Sequence, residues 1–109
     1  MQSKVAAACL VALLLPPLPS AANPLERGKA KAAQCAACHG PGGIAANPMF
    51  PNLAGQNEIY LQMQLDKFRS GDRDHPLMSP VAETLTPEDI ADLAAYFSSL
   101  DPGRGAGSE

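Results

Sequence analysis

The sequence predicts an all-α fold with three main helices. Three segments carry apolar residues at helical spacing, and residues typical of helix ends flank each of them. They cover about residues 24–38, 58–70 and 87–100. No segment shows the strict apolar–polar alternation of a half-buried strand. Glycine- and proline-rich loops connect the helices over residues 40–56 and 71–80.

The first predicted helix begins after Asn23, whose side chain can cap the first turn. Pro24 suits the first helical position because an N–H there would lack a partner, and Glu26 occupies the capping-box position. Gly40 ends the segment. We therefore expect one helix over residues 24–38.

The second predicted helix has Asn57 as its N-cap and Gly71 as the left-handed residue after its end. Its apolar residues are expected to form one broad face that packs on the rest of the domain. These residues are Ile59, Tyr60, Met63, Leu65 and Phe68.

The third predicted helix starts after Thr86 and stops before Pro102 and Gly103. Glu88 and Asp89 lie in its first turn, where the helix dipole favours anions. Its apolar residues at helical spacing are Ile90, Leu93, Ala94, Phe97 and Leu100. The sequence before it is also compatible with a short helix over residues 81–84.

Residues 35–39 read Cys-Ala-Ala-Cys-His, which is the attachment motif of a c-type haem. Two thiols three positions apart can bond covalently to the two vinyl groups of one haem. His39 follows directly and would lie under the iron as its proximal ligand. The motif predicts one covalent haem c bound through Cys35 and Cys38, and this cofactor would supply most of the chemistry.

Other uses of two neighbouring cysteines fit the chain less well. A structural zinc site needs four ligands, usually in two paired clusters, whereas the remaining cysteine and histidine are Cys9 and His75. A thioredoxin-like site expects a preceding strand and a βαβ pattern, which the alanine-rich helical segment does not provide. A plain disulfide between Cys35 and Cys38 is the third alternative.

The N-terminus has the three parts of an export signal. A short basic region precedes the apolar run of residues 5–15, and small residues and prolines follow up to Ala22. The run is too short to span a bilayer, which needs about 20 residues. Cys9 lies inside the run instead of after it, which argues against a lipid anchor. We expect cleavage after Ala22, export to the periplasm and no membrane span afterwards.

This cleavage divides the chain into a signal peptide at residues 1–22, a domain at 23–101 and a flexible tail at 102–109. The mature 87 residues form one domain with a marginal core, so haem would make up much of the apolar interior. Seven Lys and Arg against eleven Asp and Glu give a formal charge of −4. This balance argues against nucleic acid as a partner, because phosphate binding needs basic clusters.

Further motifs follow the haem motif in a fixed order. They lie at residues 51–56, 68–71, 78–80, 85–90 and 93–97. Together with residues 35–40, this order resembles the class I cytochromes c, most closely small bacterial members that look like one half of the periplasmic di-haem cytochromes. The resemblance covers about residues 25–100. It implies the class I cytochrome c fold, with three main helices and loops wrapped around one covalent haem.

The resemblance also implies an electron carrier and not an enzyme. One electron at a time would pass between redox partner proteins by outer-sphere transfer, and the likeness to half of a di-haem protein makes a homodimer worth testing. A second hypothesis is a dedicated haem subunit of a periplasmic dehydrogenase or oxidase complex. A third is an enzyme or gas sensor with an open iron site.

The resemblance places the second axial ligand of the iron at Met78, in a proline-flanked loop before the last helix. A thioether there raises the reduction potential and leaves no open site. His75 is the rival ligand, and an open five-coordinate iron is the remaining alternative. Met63 is expected to fill the core, and Met49 to pack at the rim of the first loop.

The resemblance implies roles for two further positions. The Pro51 carbonyl would accept a hydrogen bond from His39. Gly28 would lie where the first and last helices cross, against Tyr96 or Phe97. The residues whose contact with the haem propionates stays undecided are Arg69, Arg73 and Tyr60.

Small uncharged residues are expected to form a collar around the exposed haem edge. The collar residues are Ala36, Ala37, Gly42, Gly43, Ile44, Ala45, Ala46, Ser79 and Pro80. Such a surface would bind partners through short-lived apolar contact with little electrostatic steering.

Overall fold

Helices make up the regular secondary structure of the part of the chain that the computed structural model describes, residues 2–18 and 21–103. No strand occurs within those ranges, so the all-α prediction is confirmed. The helices are α1 Pro24–Ala32, α2 Ala36–His39, α3 Glu58–Ser70, α4 Met78–Glu83 and α5 Pro87–Ser99.

The predicted signal segment forms no helix over residues 2–18, and its apolar side chains are exposed. None of the described helices is both long and apolar enough to cross a membrane. The predictions that fall on residues 1, 19–20 and 104–109 lie outside the described residues. Pro102, which we assigned to the tail, lies against Gly55, so the packed part of the chain reaches at least this residue.

The predicted first helix is divided into α1 and α2, and this corrects the expectation of one helix over residues 24–38. Asn23 caps α1 by accepting a hydrogen bond from the Glu26 N–H at 2.9 Å. Beyond Ala32, the Cys35 N–H donates to the Ala32 carbonyl at 2.9 Å, which is a bond to the third preceding residue. Such bonds tighten the last turn of a helix. The chain therefore turns at residues 33–35, and the haem motif lies on a separate helical turn.

The bounds of α3 agree with the prediction. The Asn57 side chain accepts from the Tyr60 N–H at 2.9 Å, and Gly71 has a left-handed backbone with φ of 88°. Both residues act on their own helix end, so local chemistry sets these bounds.

The predicted broad apolar face of α3 is wrong in part. Leu61 and Phe68 are buried, whereas Ile59 is 73% exposed and Met63 is 44% exposed. Residues 61, 65 and 68 share one face at helical spacing, and Ile59 and Met63 lie on the opposite face. The expectation that Met63 fills the core is therefore wrong.

Helix α5 begins with a full capping box. The Thr86 hydroxyl accepts from the Asp89 N–H, and the Asp89 carboxylate accepts from the Thr86 N–H, each at 3.0 Å. Lys31 of α1 lies 3.4 Å from the same carboxylate. These contacts lower the pKa of Asp89, chiefly through the hydrogen bond from the Thr86 backbone. The short preceding helix, α4, begins at Met78 and so starts three residues before the prediction.

The core lies around α5, which packs against both α1 and α3. Half-buried Leu53, Leu65 and Leu100 pack against this core. Its buried residues are Ala32, Leu61, Leu85, Ile90, Leu93, Ala94 and Phe97.

Gly28 lies where α1 crosses α5, as predicted. A Cβ atom at this position would clash with the Asp92 carbonyl oxygen and would lie 2.7 Å from the Tyr96 Cβ. Arg27 ties the same crossing by donating to both carboxylate oxygens of the buried Asp92, at 2.8 and 3.1 Å. The hydrogen bond to Asp92 raises the pKa of Arg27. The crossing thus combines a close backbone approach with a bidentate ion pair.

Replacing Gly28 by alanine is expected to lower the free energy of unfolding by about 1–3 kcal/mol, the usual cost of overpacking. The added methyl group meets a backbone oxygen that cannot rotate away, and this outweighs a gain in helix propensity of about 1 kcal/mol. Denaturant unfolding of the haem-loaded protein measures the change. Lys29→Ala, at the exposed neighbouring position, is the control. Equal stability of Gly28→Ala and the wild type would contradict the close crossing.

Asp89→Ala is expected to cost about 1 kcal/mol of stability at pH 7, because it removes half of the capping box. A carboxylate whose pKa falls on folding stabilises the protein above its unfolded pKa, and this contribution disappears as the pH falls through the folded pKa. The difference between variant and wild type should therefore shrink below about pH 4. Glu88→Ala, in the same turn, is the control. A difference that stays constant down to acid pH would contradict the role of the Asp89 charge.

Candidate haem site

Helix α2 presents the predicted attachment residues on a single helical turn. Cys35 is its N-cap, and Cys38 and His39 are its last residues. Both cysteines are free thiols. Because residues three apart are neighbours on a helix surface, the two sulfurs can bond to one planar group.

The side chain of His39 is buried, with 8% exposure, and its ring is oriented by one hydrogen bond. Its Nδ1 lies 2.8 Å from the carbonyl oxygen of Pro51. A carbonyl only accepts, so Nδ1 carries the proton and donates it. The lone pair of the neutral ring is then on Nε2, which is the arrangement that metal-ligating histidines use.

A tight loop holds Pro51 opposite the histidine. The Gly43 carbonyl accepts from the N–H groups of Leu53 and Ala54, at 2.7 and 3.0 Å. The Asn52 side chain accepts from the Ala45 N–H at 2.8 Å. This role of Asn52 was not predicted from the sequence, although asparagine beside proline is a common turn signal.

The same loop is fastened to the core. The Gly55 N–H donates to the Phe97 carbonyl at 2.9 Å, near the end of α5. Gly55 has φ of 72°, and a Cβ there would lie 2.7 Å from the ring of Pro102. The histidine, the loop and the main core helix thus form one connected unit.

The two thiols have different surroundings. Cys35 packs against the core and is half-buried, whereas Cys38 is exposed. Burial raises the pKa of the Cys35 thiol, and the nearby charge of Lys31 opposes this shift. A group bonded to both sulfurs would therefore adjoin the core at one side and solvent at the other.

Met78, the predicted axial ligand, is half-buried and is the first residue of α4. This helix packs against α3. The rival ligand, His75, is exposed, and its Nδ1 already accepts hydrogen bonds from the backbone N–H groups of Leu77 and Met78. His75 is therefore engaged within its own loop.

The residues left undecided for the propionates have varied environments. Arg73 stacks over the Phe68 ring, with its guanidinium carbon 4.4 Å from the ring centre, and donates to Gln64 at 2.9 Å. Tyr60 and Arg69 are exposed on α3. The structure thus gives Arg73 a packing role on α3.

The side chains that the structure provides fit a c-type haem. Two free thiols lie on one helical turn, and the buried imidazole beside them has an available Nε2. The methionine offers a soft, neutral thioether, which suits haem iron. Among residues 2–18 and 21–103, no group of three or more His, Cys, Asp or Glu side chains could hold a metal ion.

Sequence comparison decides the family. A sequence model of the cytochrome c family matches residues 25–101. The chain belongs to the cytochrome c family. Membership implies a covalent c-type haem, for which Cys35 and Cys38 provide the motif, and the predicted class I cytochrome c fold is confirmed.

Two relatives differ in how much of their length this chain spans. Cytochrome c4 of Pseudomonas aeruginosa is 42% identical over 97 residues, which are 89% of this chain and 48% of the relative. Cytochrome c-554(548) of Halomonas halodenitrificans is 45% identical over 77 residues, which are 68% of this chain and 93% of the relative. The chain thus spans about half of the first relative and nearly all of the second.

A solved structure contains a similar domain within a longer chain. The thiosulfate dehydrogenase (TsdBA) from Marichromatium purpuratum superposes with a TM-score of 0.67 at 42% sequence identity. The match covers 72% of this cytochrome and 19% of that chain. The matched sequence thus makes up nearly all of the Halomonas relative, whereas the matched fold is a minor part of this longer chain.

Proposed function

We propose that this cytochrome is a periplasmic electron carrier that transfers one electron at a time by outer-sphere transfer. Cys35 and Cys38 would hold the haem through thioether bonds, and His39 and Met78 would bind its iron. The observation that carries the proposal is the buried His39 ring, whose Nδ1 is committed to the Pro51 carbonyl at 2.8 Å. This bond leaves Nε2 for the iron.

The ligand residues suit rapid electron transfer. When bound, the haem supplies an iron that changes between the ferric and ferrous states. His39 is held by α2 and the Pro51 loop, and Met78 is held by α4, so neither ligand has to move. Both are uncharged, and a thioether bound to the iron would leave no open site for substrate or gas. No acid, base or nucleophile is needed, and no residue is assigned a catalytic role.

Partner proteins would exchange electrons through the uncharged collar. Ala37, Gly42, Ala46 and Pro80 are exposed. A surface cleft of about 310 Å³ adjoins Pro80, and its walls carry no charge. The residues of these walls are Gln34, Pro80, Val81 and Thr84. An uncharged surface favours brief apolar contact over electrostatic steering.

Export is part of this proposal. Residues 1–22 act as a signal peptide that is cleaved after Ala22, and the cytochrome domain extends from residue 23 to at least Pro102. Arg27 donates to the Ala22 carbonyl in the uncleaved chain. Cleavage removes this contact and leaves the Arg27–Asp92 pair in place.

A second candidate function is that of a haem subunit in a periplasmic dehydrogenase or oxidase complex. The similar domain inside the longer thiosulfate dehydrogenase chain favours it. The outer face of α3 also exposes Ile59 and Met63 beside a cleft of about 500 Å³, but charged Asp66, Lys67 and Asp72 line the same cleft. A surface that mixes apolar and charged residues suits a diffusing carrier better than a permanent subunit.

The molecular mass of the purified protein in solution would distinguish a monomer from a homodimer or a larger complex.

Met78→Ala is expected to abolish the weak far-red ferric band that iron–sulfur ligation produces, and to make the reduced protein bind carbon monoxide. Alanine has no atom that can reach the iron, so the sixth position opens. Absorption spectra of both oxidation states measure the two effects. Met63→Ala is the matched control, because Met63 is a partly exposed methionine on α3. A band that survives Met78→Ala and disappears in Met63→Ala would reassign the ligand.

The rate of electron transfer to a partner should change by less than about threefold between 0.01 and 0.15 M ionic strength, although the Debye length falls from about 30 to about 8 Å over this range. The collar has no charge to be screened. Stopped-flow kinetics measures the rate. The control is Ala46→Lys, which places a charge in the collar and should produce a clear salt dependence. A steep dependence in the wild type would contradict docking at an uncharged surface.

A further inference from the structure

His75 lies at the centre of a hydrogen-bond network just before α4. Its ring Nδ1 accepts from the backbone N–H of Leu77 at 3.1 Å and from that of Met78 at 3.3 Å. A ring nitrogen that accepts two N–H groups carries no proton, so the proton of the neutral ring is on Nε2. The side chain thus holds the backbone at Met78 itself.

Ser79 ties the residue that follows Met78 to the same histidine. The His75 N–H donates to the Ser79 hydroxyl oxygen at 2.9 Å, and the Ser79 N–H donates to the His75 carbonyl at 3.0 Å. The Ser79 hydroxyl in turn donates to the Asp74 carboxylate at 3.1 Å. His75 therefore forms hydrogen bonds with the residue before Met78 and with the residue after it.

The start of α4 needs such a partner. The first N–H groups of a helix have no acceptor within the helix, and the N-cap residue Leu77 provides no side-chain hydrogen bond. A helix of six residues contains few internal bonds and is weakly stable alone. His75 supplies the missing acceptor from two residues before the cap.

The His75 ring is itself fixed to α3. It lies edge-on to the Phe68 ring, with the ring centres 6.5 Å apart and the planes at 77°. Phe68 is buried, and the guanidinium of Arg73 covers it. The His75 ring therefore contacts α3 through Phe68 and the start of α4 through the Met78 N–H, so it fixes the two helices relative to each other.

We propose that His75 is a positioning residue that sets Met78 in the register where its thioether binds the haem iron. This assignment rests on the proposed role of Met78 as an axial ligand. It gives His75 a function other than iron ligation, because Nδ1 accepts the two backbone N–H groups and the proton of the neutral ring then occupies Nε2. Loss of the ring acceptor loosens the backbone at Met78 and makes the thioether easier to displace.

The test is the competition of imidazole with Met78 in the ferric, haem-loaded protein at one fixed pH. His75→Leu keeps a side chain of moderate size and removes the acceptor. Imidazole should then bind about tenfold more tightly than to the wild type, which corresponds to the loss of two hydrogen bonds of ordinary net strength. His75→Asn restores a side-chain oxygen that can accept from the N–H two residues later. It should return the affinity to within about threefold of the wild type.

The controls separate this role from general stability. Asp74→Asn keeps an acceptor for the Ser79 hydroxyl and should leave the imidazole affinity unchanged. Thermal unfolding of each variant reports damage to the core. Should His75→Leu fail to assemble with haem, His75→Ala provides the same test, because it removes the ring acceptor without adding a large apolar side chain. Tighter imidazole binding to His75→Ala supports the assignment, and unchanged binding overturns it.

The outcomes distinguish this assignment from the function on which it rests. Wild-type affinity in His75→Leu overturns the positioning role while the far-red iron–sulfur band keeps Met78 as a ligand. Equal affinities in the leucine and asparagine variants overturn the acceptor mechanism. A wild-type protein without that band overturns the ligand assignment and the positioning role together.

Discussion

The hydrogen bond from His39 to the Pro51 carbonyl is the interaction on which the rest of the site depends. It joins two parts of the chain that share no helix, namely the short turn α2 and the loop that follows it. That loop is folded by the Gly43 carbonyl and is fastened to α5 through the Gly55–Phe97 bond. Since the bond also selects the tautomer with its proton on Nδ1, one contact fixes the position, orientation and protonated nitrogen of the His39 ring, which we propose as the proximal ligand. Through the loop, this ring is connected to the core helix α5.

The small size of the domain explains why its helices meet so closely. A chain of this length buries a limited share of its surface, and its described core consists of a few aliphatic side chains and Phe97 around α5. At Gly28, the backbone of α1 lies directly against the backbone of α5, which increases the contact between the two helices. Cys35 packs on the same core, so the attached haem would extend the apolar interior from that side. We therefore expect attachment and folding to be coupled, with the haem supplying both chemistry and core volume.

Features set by local chemistry could be predicted from the sequence. The caps Asn57, Gly71 and Thr86 act on their own helix ends, and the haem motif is contiguous, so helix bounds and attachment residues follow from neighbouring residues. The break after Ala32 was missed because the turn at residues 33–35 contains no glycine or proline. The outward orientation of Ile59 and Met63 depends on where α5 packs, and apolar composition alone does not reveal it. The roles of Asn52 and His75 were missed because their side chains bind backbone groups within loops, which no periodicity indicates.

Crystal structures of the haem-loaded protein in both oxidation states would show whether one set of ligands serves the ferric and the ferrous iron. We expect His39 Nε2 and Met78 Sδ to bind the iron in the oxidised and reduced forms alike, with the His39–Pro51 bond kept in both. This invariance is what a carrier with little reorganisation requires. Binding of His75 in place of Met78, or departure of Met78 from the iron in one oxidation state, would rule out this ligand pair.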